Sequence, residues 1–305
     1  MISIVSPVYR AEKILPTLVA EIESVMAKIG EDFEIILVDD RSPDYSWDVM
    51  KTLSSKNQNL KVYRLSRNFG QHATIIAALT KAKGEWIVVM DCDMQDQPKE
   101  IEKLFKKTLE GYDVVQAKRK NRQDSYSKKL SSRIFYKIFN YFAGIEINKE
   151  IANFGIYNRK VIDSALRIGD HIKFFPLFIN WVGYQSTAIE IEHASRDDGK
   201  SSYSFSKLVS LAFNVIISFS DKPLKIFVWF GAIISFLSVL VGFFFLFSFF
   251  SGKITEPGFS SLILSIWFLS GVIISCIGIV GVYLGKTFNQ TKNRPVFIID
   301  EAHEN

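Results

Sequence analysis

Glu85-Trp-Ile-Val-Val-Met-Asp-Cys-Asp-Met-Gln-Asp-Gln-Pro98 is the stretch that decides the fold. Its apolar half, Trp86–Met90, reads as a strand buried on both faces, and acids at Asp91, Asp93 and Asp96 follow at once. Working outward, short β-branched runs recur at Ile2–Ser6, Glu34–Val38, Lys61–Leu65 and Asp113–Gln116. Helical patterns fill the gaps at Lys13–Lys28, Ser46–Lys56, His72–Lys83 and Pro98–Leu109. Strand and helix alternating in this way predict crossover connections and a parallel sheet covered on both faces. Ligands of such sheets bind beyond the carboxyl ends of the strands. The segments falling there are Ser6-Pro-Val-Tyr9 with Glu12, Asp39-Asp40-Arg41-Ser42, Arg67-Asn68-Phe69-Gly70-Gln71, and Asp91-Cys92-Asp93-Met94-Gln95-Asp96. That edge is the candidate site.

Asp91 and Asp93, two residues apart after a buried strand, can reach one ion if the chain bends. Such oxygen ligands suit Mg²⁺ or Mn²⁺ shared with substrate phosphates, and Gln95 can add an oxygen or orient a water. Asp39 and Asp40 read either as caps for the next helix or as hydrogen-bond partners of a base or ribose. Adjacent side chains point apart, so one can cap while the other binds. Pro7 and Tyr9 offer a surface for a base, and Glu12 a carboxylate for its edge. Other chemistries are excluded. His72, His171, His193 and His303 make no zinc spacing with Cys92 or Cys276. No Walker-type glycine loop occurs, and Ser6 and Ser66 lack a His–Asp arrangement. His72 reads as near the cleft or as a helix-start residue, and Trp181 as a core or interface anchor, with a sugar platform as the alternative.

The 305 residues allow one large domain or two smaller ones, and 48% hydrophobic against 23% charged residues excludes a disordered chain. The apolar excess is concentrated. No charge occurs from Ile226 to Gly252 or from Pro257 to Gly285, and each run exceeds the ~20 residues that cross a bilayer. Two spans are therefore expected. Lys118, Arg119, Lys120, Arg122, Lys128, Lys129, Arg133 and Lys137 face only Asp124, with Leu130, Ile134, Phe135, Ile138, Phe139 and Phe142 at helical spacing. That pattern fits a basic helix over about 126–143 lying on a membrane, or else an ordinary solvated face. Nucleic acid is a poor partner for a tethered protein with an acidic cleft. Phe205–Phe219 reads as a second interface helix.

The expected organisation is a cytosolic domain over 1–203, a juxtamembrane helix over 204–222, two transmembrane helices over 223–288 and a cytosolic tail over 289–305. Arg294–Asp300 within that tail could form a short strand. Lys222, Lys225, Lys286, Lys292 and Arg294 flank the outer ends of the spans, against Lys253 between them, which places both termini in the cytosol. The first apolar stretch is too short for a signal peptide, and two cysteines form no disulfide framework.

Taken in order, these motifs resemble the family-2 glycosyltransferases. The match is to the polyprenyl-phosphate glycosyltransferases related to dolichol-phosphate mannose synthase and to bacterial undecaprenyl-phosphate glycosyltransferases. The pieces are Ser6–Tyr9 with Glu12, Val38–Asp40 with Ser42, Ser66–Gly70, Met90–Asp96 with Pro98, Arg196 with Gly199 before Tyr203, and Arg294-Pro295. The resemblance implies a GT-A, Rossmann-like parallel or mixed sheet followed by two transmembrane helices. It implies inverting transfer from a nucleotide-sugar to a polyprenyl phosphate at the cytosolic face of the inner membrane. Asp91, Asp93 and Gln95 would hold the metal and donor diphosphate, with Asp93 counted as catalytic. Pro7, Tyr9, Glu12, Asp39 and Asp40 would surround the nucleoside, and Arg119, Arg133 and Arg196 would face the acceptor phosphate.

Asn153 stands where relatives commonly have Asp, Ala78 where glycine is frequent, and Ser202 where Lys is frequent. These departures bear on which sugar is carried. Gly271, Gly278, Gly281 and Gly285 allow close helix packing and a homo-oligomer, a tetramer by likeness to some relatives. The alternatives are a processive polysaccharide synthase and a non-catalytic membrane scaffold. The first would need more spans and a Gln-x-x-Arg-Trp motif, and the second a degenerate acidic edge.

Overall fold

The computed structural model describes residues 1–119, 151–168, 175–191, 220, 222–251 and 258–304. It separates into two compact units, one of Met1–Tyr136, Ile145–Ser202 and Arg294–Asn305, the other of Lys137–Gly144 and Tyr203–Asn293.

In the first unit, strand β1 (Ile2–Val8) is buried along its whole length, which requires neighbours on both edges and cover on both faces. It pairs in parallel with β2 (Phe33–Asp39) and β4 (Trp86–Val89), with Ile4 opposite Ile35 and Val88. β2 pairs in parallel with β3 (Leu60–Leu65). Helices α1 (Leu15–Ile29), α2 (Ser46–Ser54) and α3 (Gln71–Lys81) are the crossovers between these strands. Alternate side chains sort the two faces. Ile4, Val8, Ile35 and Leu37 join Leu15, Leu18, Ile22 and Met26 of α1 in one buried cluster. α3 packs against β1 and β2, burying Ile75, Ala78 and Leu79. Each such Leu or Ile contributes about 1.5–3 kcal/mol of burial.

After a 3₁₀ turn at Pro98–Glu100, α4 (Ile101–Thr108) adds Ile101 and Leu104 to that cluster. The remaining strands are β5 (Val114–Arg119), β6 (Ile151–Asn158), β7 (Ser186–Ile191) and β8 (Ile299–His303). The eight strands run in the order β7-β5-β6-β4-β1-β2-β3-β8. The sheet is mixed, one of the two arrangements expected: β6 runs antiparallel to β4 and β5, and β8 antiparallel to β3. β7 then pairs in parallel with β5 at one end of the sheet, whereas the antiparallel neighbours need no crossover helix and so lack the strand–helix alternation that exposes parallel strands.

Asn158 caps helix α5 (Arg159–Leu166) by accepting from the Lys160 amide at 3.1 Å. On α6 (Phe175–Val182), Phe175 and Phe178 are buried while Trp181 is 68% exposed, so Trp181 is no core anchor. The tail strand begins at Ile299, near the end of the expected Arg294–Asp300 window, runs on to His303, and belongs to the sheet unit.

The second unit contains α7 (Lys222–Phe250) and α8 (Phe259–Thr291). Within α8, Ser265–Thr291 is long and apolar enough to cross a membrane, and its large side chains, Trp267 and Ile274 among them, are exposed. α7 carries charge only at Lys222 and Lys225, and exposes Trp229 and Phe236. The Tyr283 hydroxyl donates to the Ser220 carbonyl at 2.8 Å. The expected basic helix over 126–143 and the interface helix over Phe205–Phe219 lie outside the described residues.

Candidate active site

Four adjacent parallel strands end on one edge, and their carboxyl ends deliver the cleft. β1 gives Pro7, Val8 and Tyr9, β2 gives Asp40, and β4 gives Asp91, Cys92 and Asp93. The turn from β3 into α3 gives Asn68, Gly70, Gln71 and Thr74. Together these residues enclose about 440 Å³, at the place where open α/β sheets bind ligands.

The cleft is braced by a relay of hydrogen bonds. Asp40 is 4% exposed; its Oδ1 accepts from the Phe69 amide at 2.7 Å and its Oδ2 from the Gly70 amide at 2.9 Å. Gly70 sits at φ 92°, a region that side chains disfavour. Its carbonyl accepts from the Thr74 amide at 3.1 Å and so starts α3. The first residue of that helix, Gln71, donates from Nε2 to Asp91 Oδ1 at 2.7 Å. Asp93 Oδ1 accepts from the Gln95 amide at 3.2 Å across a turn in which Met94 has φ 59°. The end of β2 therefore fixes the loop after β3, and that loop orients a carboxylate at the end of β4.

Asp39 and Asp40 divide their work as adjacent side chains must. Asp39 is fully buried; its Oδ1 accepts from the Ser42 amide at 3.0 Å, and its Oδ2 lies 3.2 Å from Arg64 Nε. Burial raises the pKa of Asp39 against those Ser42 and Arg64 contacts. Burial raises that of Asp40 too, against the Phe69 and Gly70 amides. Burial also pushes the Cys92 thiol up to about 12, so it stays protonated at neutral pH and is no nucleophile. His72, second residue of α3, is lowered by burial to about 4 and is neutral there.

The other expected residues fall as follows. Tyr9 is 45% exposed on the cleft wall, with the Arg10 guanidinium 5.4 Å from its ring centroid. Glu12 is not among the described residues lining the cleft; its Oε2 accepts from the Tyr45 amide at 3.1 Å and braces the approach to α2. Gln95 follows the Asp93 turn and is half-buried, and Asn153 is half-buried on β6. Arg119 ends β5 opposite Ile191 of β7. Arg133 and Arg196 lie outside the described residues. Gln71, Asn68 and Thr74 also line the cleft, and nothing in the sequence marks them individually. Their segment follows β3, but an uncharged amide or hydroxyl carries no electrostatic signature in the sequence.

Among the described residues, no group of three or more His, Cys, Asp or Glu side chains is placed to share an ion. Two carboxylates in a cleft still fit Mg²⁺ or Mn²⁺, which commonly take one or two protein carboxylates and complete their shell with substrate phosphates and water. The donor set therefore suits a hard cation arriving with a diphosphate.

Comparison with known proteins agrees with this geometry. An uncharacterised glycosyltransferase of Synechocystis is 32% identical over 301 residues, covering 98% of this chain and 95% of its own. The undecaprenyl-phosphate 4-deoxy-4-formamido-L-arabinose transferase of Pectobacterium atrosepticum is 31% identical, covering 99% and 93%. Among solved structures, mannosyl-3-phosphoglycerate synthase from Rubrobacter xylanophilus superposes with a TM-score of 0.51 at 15% identity, covering 72% of each chain, a likeness of GT-A fold alone. The model of glycosyl transferase family 2 matches residues 3–166, from β1 through α5. With that match over more than half its length, and relatives aligned nearly end to end, the chain belongs to glycosyl transferase family 2 and is a glycosyltransferase.

Proposed function

We propose that this protein transfers a sugar from a nucleotide-sugar to a polyprenyl phosphate at the cytosolic face of a membrane, with inversion at the anomeric carbon. The observation that carries the reading is the cleft itself: Asp91 and Asp93 leave a buried strand into the same space that Pro7, Tyr9 and Asp40 wall. The relative named as an undecaprenyl-phosphate transferase, aligned over 99% of this chain, supports the acceptor class.

In this reading Pro7, Tyr9 and Asp40 pack the nucleoside, and Asp39 and Glu12 hold the loops that carry them. Asp91, Asp93 and Gln95 would hold Mg²⁺ or Mn²⁺ together with the donor diphosphate. When bound, such a cation supplies charge stabilisation for the departing nucleoside diphosphate. Gln71 orients Asp91 for that task. The acceptor phosphate is already an anion, so its oxygen needs alignment more than a base. Arg119, Arg133 and Arg196 supply that alignment, because a guanidinium fork fits phosphate and offsets its repulsion from the donor. The phosphate oxygen forms its bond to the anomeric carbon as the bond to the diphosphate breaks. Asn153 would then contact the sugar. Two spans, α7 and α8, and the basic segment over 126–143 would keep the cleft near lipid head groups.

Membranes holding the protein should move label from one member of a UDP-, GDP- and dTDP-sugar panel into the organic phase. Asp93→Asn should lower that transfer about a hundredfold or more, while the protein stays in the membrane fraction. Label remaining aqueous with every donor would refute the reading, and an Asp93→Asn variant at full rate would refute the assignment of Asp93.

A further inference from the structure

The chain leaves α8 at Thr291 and returns to the sheet as β8, pairing with β3 so that Arg64 stands opposite Glu301. The Ser66 amide donates to the Ile298 carbonyl at 2.9 Å and continues the pairing. A strand that merely closed an edge would need its backbone alone. This one also brings acids that land on named partners. Asp300 Oδ2 meets Arg41 Nη1 at 2.7 Å. Glu301 uses both oxygens, Oε1 3.3 Å from Arg64 Nη1 and Oε2 accepting from Trp47 Nε1 at 3.1 Å.

Those partners lead to the cleft. Arg41 follows Asp40 directly and is held at φ 56°, a left-handed conformation uncommon outside glycine. Arg64 lies between two carboxylates, Glu301 on the outside and the fully buried Asp39 on the inside. Asp39 in turn holds the Ser42 amide. Both ends of the short loop Asp39–Ser42, which carries Asp40 into the cleft, are thus tied to the tail. We infer that the tail strand is a clasp on the nucleotide side of the cleft, with Glu301 and Asp300 as positioning residues for donor binding. The inference rests on the transfer reading above for its ligand, and on the Arg41 and Arg64 contacts for its geometry.

The test uses the full chain carrying Asp300→Asn and Glu301→Gln together, changes that remove charge and keep shape and backbone pairing. Hydrogen exchange at the Ser42 amide should quicken about tenfold, while the Ser66 amide stays protected because β8 remains paired. The donor KM should rise about threefold to tenfold, the range expected of a half-exposed ion-pair network, with kcat and the acceptor KM unchanged. Unaltered Ser42 exchange overturns the inference. So does faster exchange with an unchanged donor KM, or an equal fall of every kinetic constant. Exchange is read without turnover, so a wild-type protein that transferred no sugar would fail the transfer reading, and the Ser42 amide would still decide the clasp.

Discussion

Replacing Asp40 with asparagine keeps the side chain's size and removes its charge, which tests the bracing role of that carboxylate. In the native protein both oxygens accept backbone amides, from Phe69 at 2.7 Å and Gly70 at 2.9 Å, at a residue only 4% exposed. A hydrogen bond to a charged acceptor contributes about 1.5–3 kcal/mol. Asparagine retains one acceptor and turns an NH₂ toward the other amide, so one bond is lost and two donors face each other. Burial raises the Asp40 pKa, so its ionised form carries a desolvation cost that the neutral amide escapes. The balance is a loss of about 2 kcal/mol, or roughly 4–8 °C in the melting of the sheet unit. The functional consequence travels through Gly70 to Gln71 and so to Asp91. Loosening that path should lower kcat/KM for the donor by about tenfold to a hundredfold, the scale of a small misplacement at a reacting centre. Tryptophan-fluorescence melting of the detergent-solubilised chain and donor-dependent kinetics measure the two effects. A variant melting within about 1 °C of wild type, with unchanged donor kinetics, would show that the amide bonds of Asp40 brace nothing.

Two further outcomes follow from buried groups. His72 is lowered to about 4 in the folded protein against about 6.5 unfolded, so below 6.5 the unfolded chain takes up a proton that the folded one refuses. Stability should therefore fall by about 3 kcal/mol between pH 6.5 and 4. His72→Gln should lose that much less over the same range in pH-dependent melting, and parallel curves for the two proteins would contradict the assignment. At Gly84, a methyl group would sit 2.6 Å from the Ser3 amide nitrogen and 3.0 Å from the Ile2 carbonyl carbon, both backbone atoms of central strand β1. Gly84→Ala should cost about 3 kcal/mol or more, read as a lower melting temperature, and an unshifted melt would mean that β1 yields where its pairing says it cannot.

How much of this was legible in the sequence depended on what each element is paired with. β1 to β4 are readable because each is a mostly buried run flanked by a helical crossover, and Glu34–Val38 falls within β2 as found. β6, β7 and the placement of β8 are not. β7 alternates between exposed and half-buried positions at a sheet edge, and β8 takes its position from Arg41, Trp47 and Arg64, more than two hundred residues earlier in the chain. No local pattern in Ile299–His303 encodes those partners. At the site, the acids were found by charge and by their place after strands, and Asp40, Asp91 and Asp93 do share the cleft. What joins them, two amides on Asp40 and the Gln71 carboxamide on Asp91, carries no net charge and is specified by geometry alone.

That distinction bears on the chemistry. Hydrogen-bond donors that carry no charge can orient Asp91 and Asp93 but cannot cancel their repulsion for an incoming diphosphate. Asp40 accepts from the Phe69 and Gly70 amides, Asp91 from the Gln71 side chain and Asp93 from the Gln95 amide. In the proposed reading, a nucleoside diphosphate would approach that end of the cleft together with a divalent cation, because paired carboxylates repel a bare anion. On that reading the donor would arrive as its metal complex, with Tyr9 and Asp40 at the nucleoside end and the acids at the phosphate end. This polarity along one cleft separates the transferase reading from a scaffold, for which paired acids held open by a glutamine would be a cost without a return.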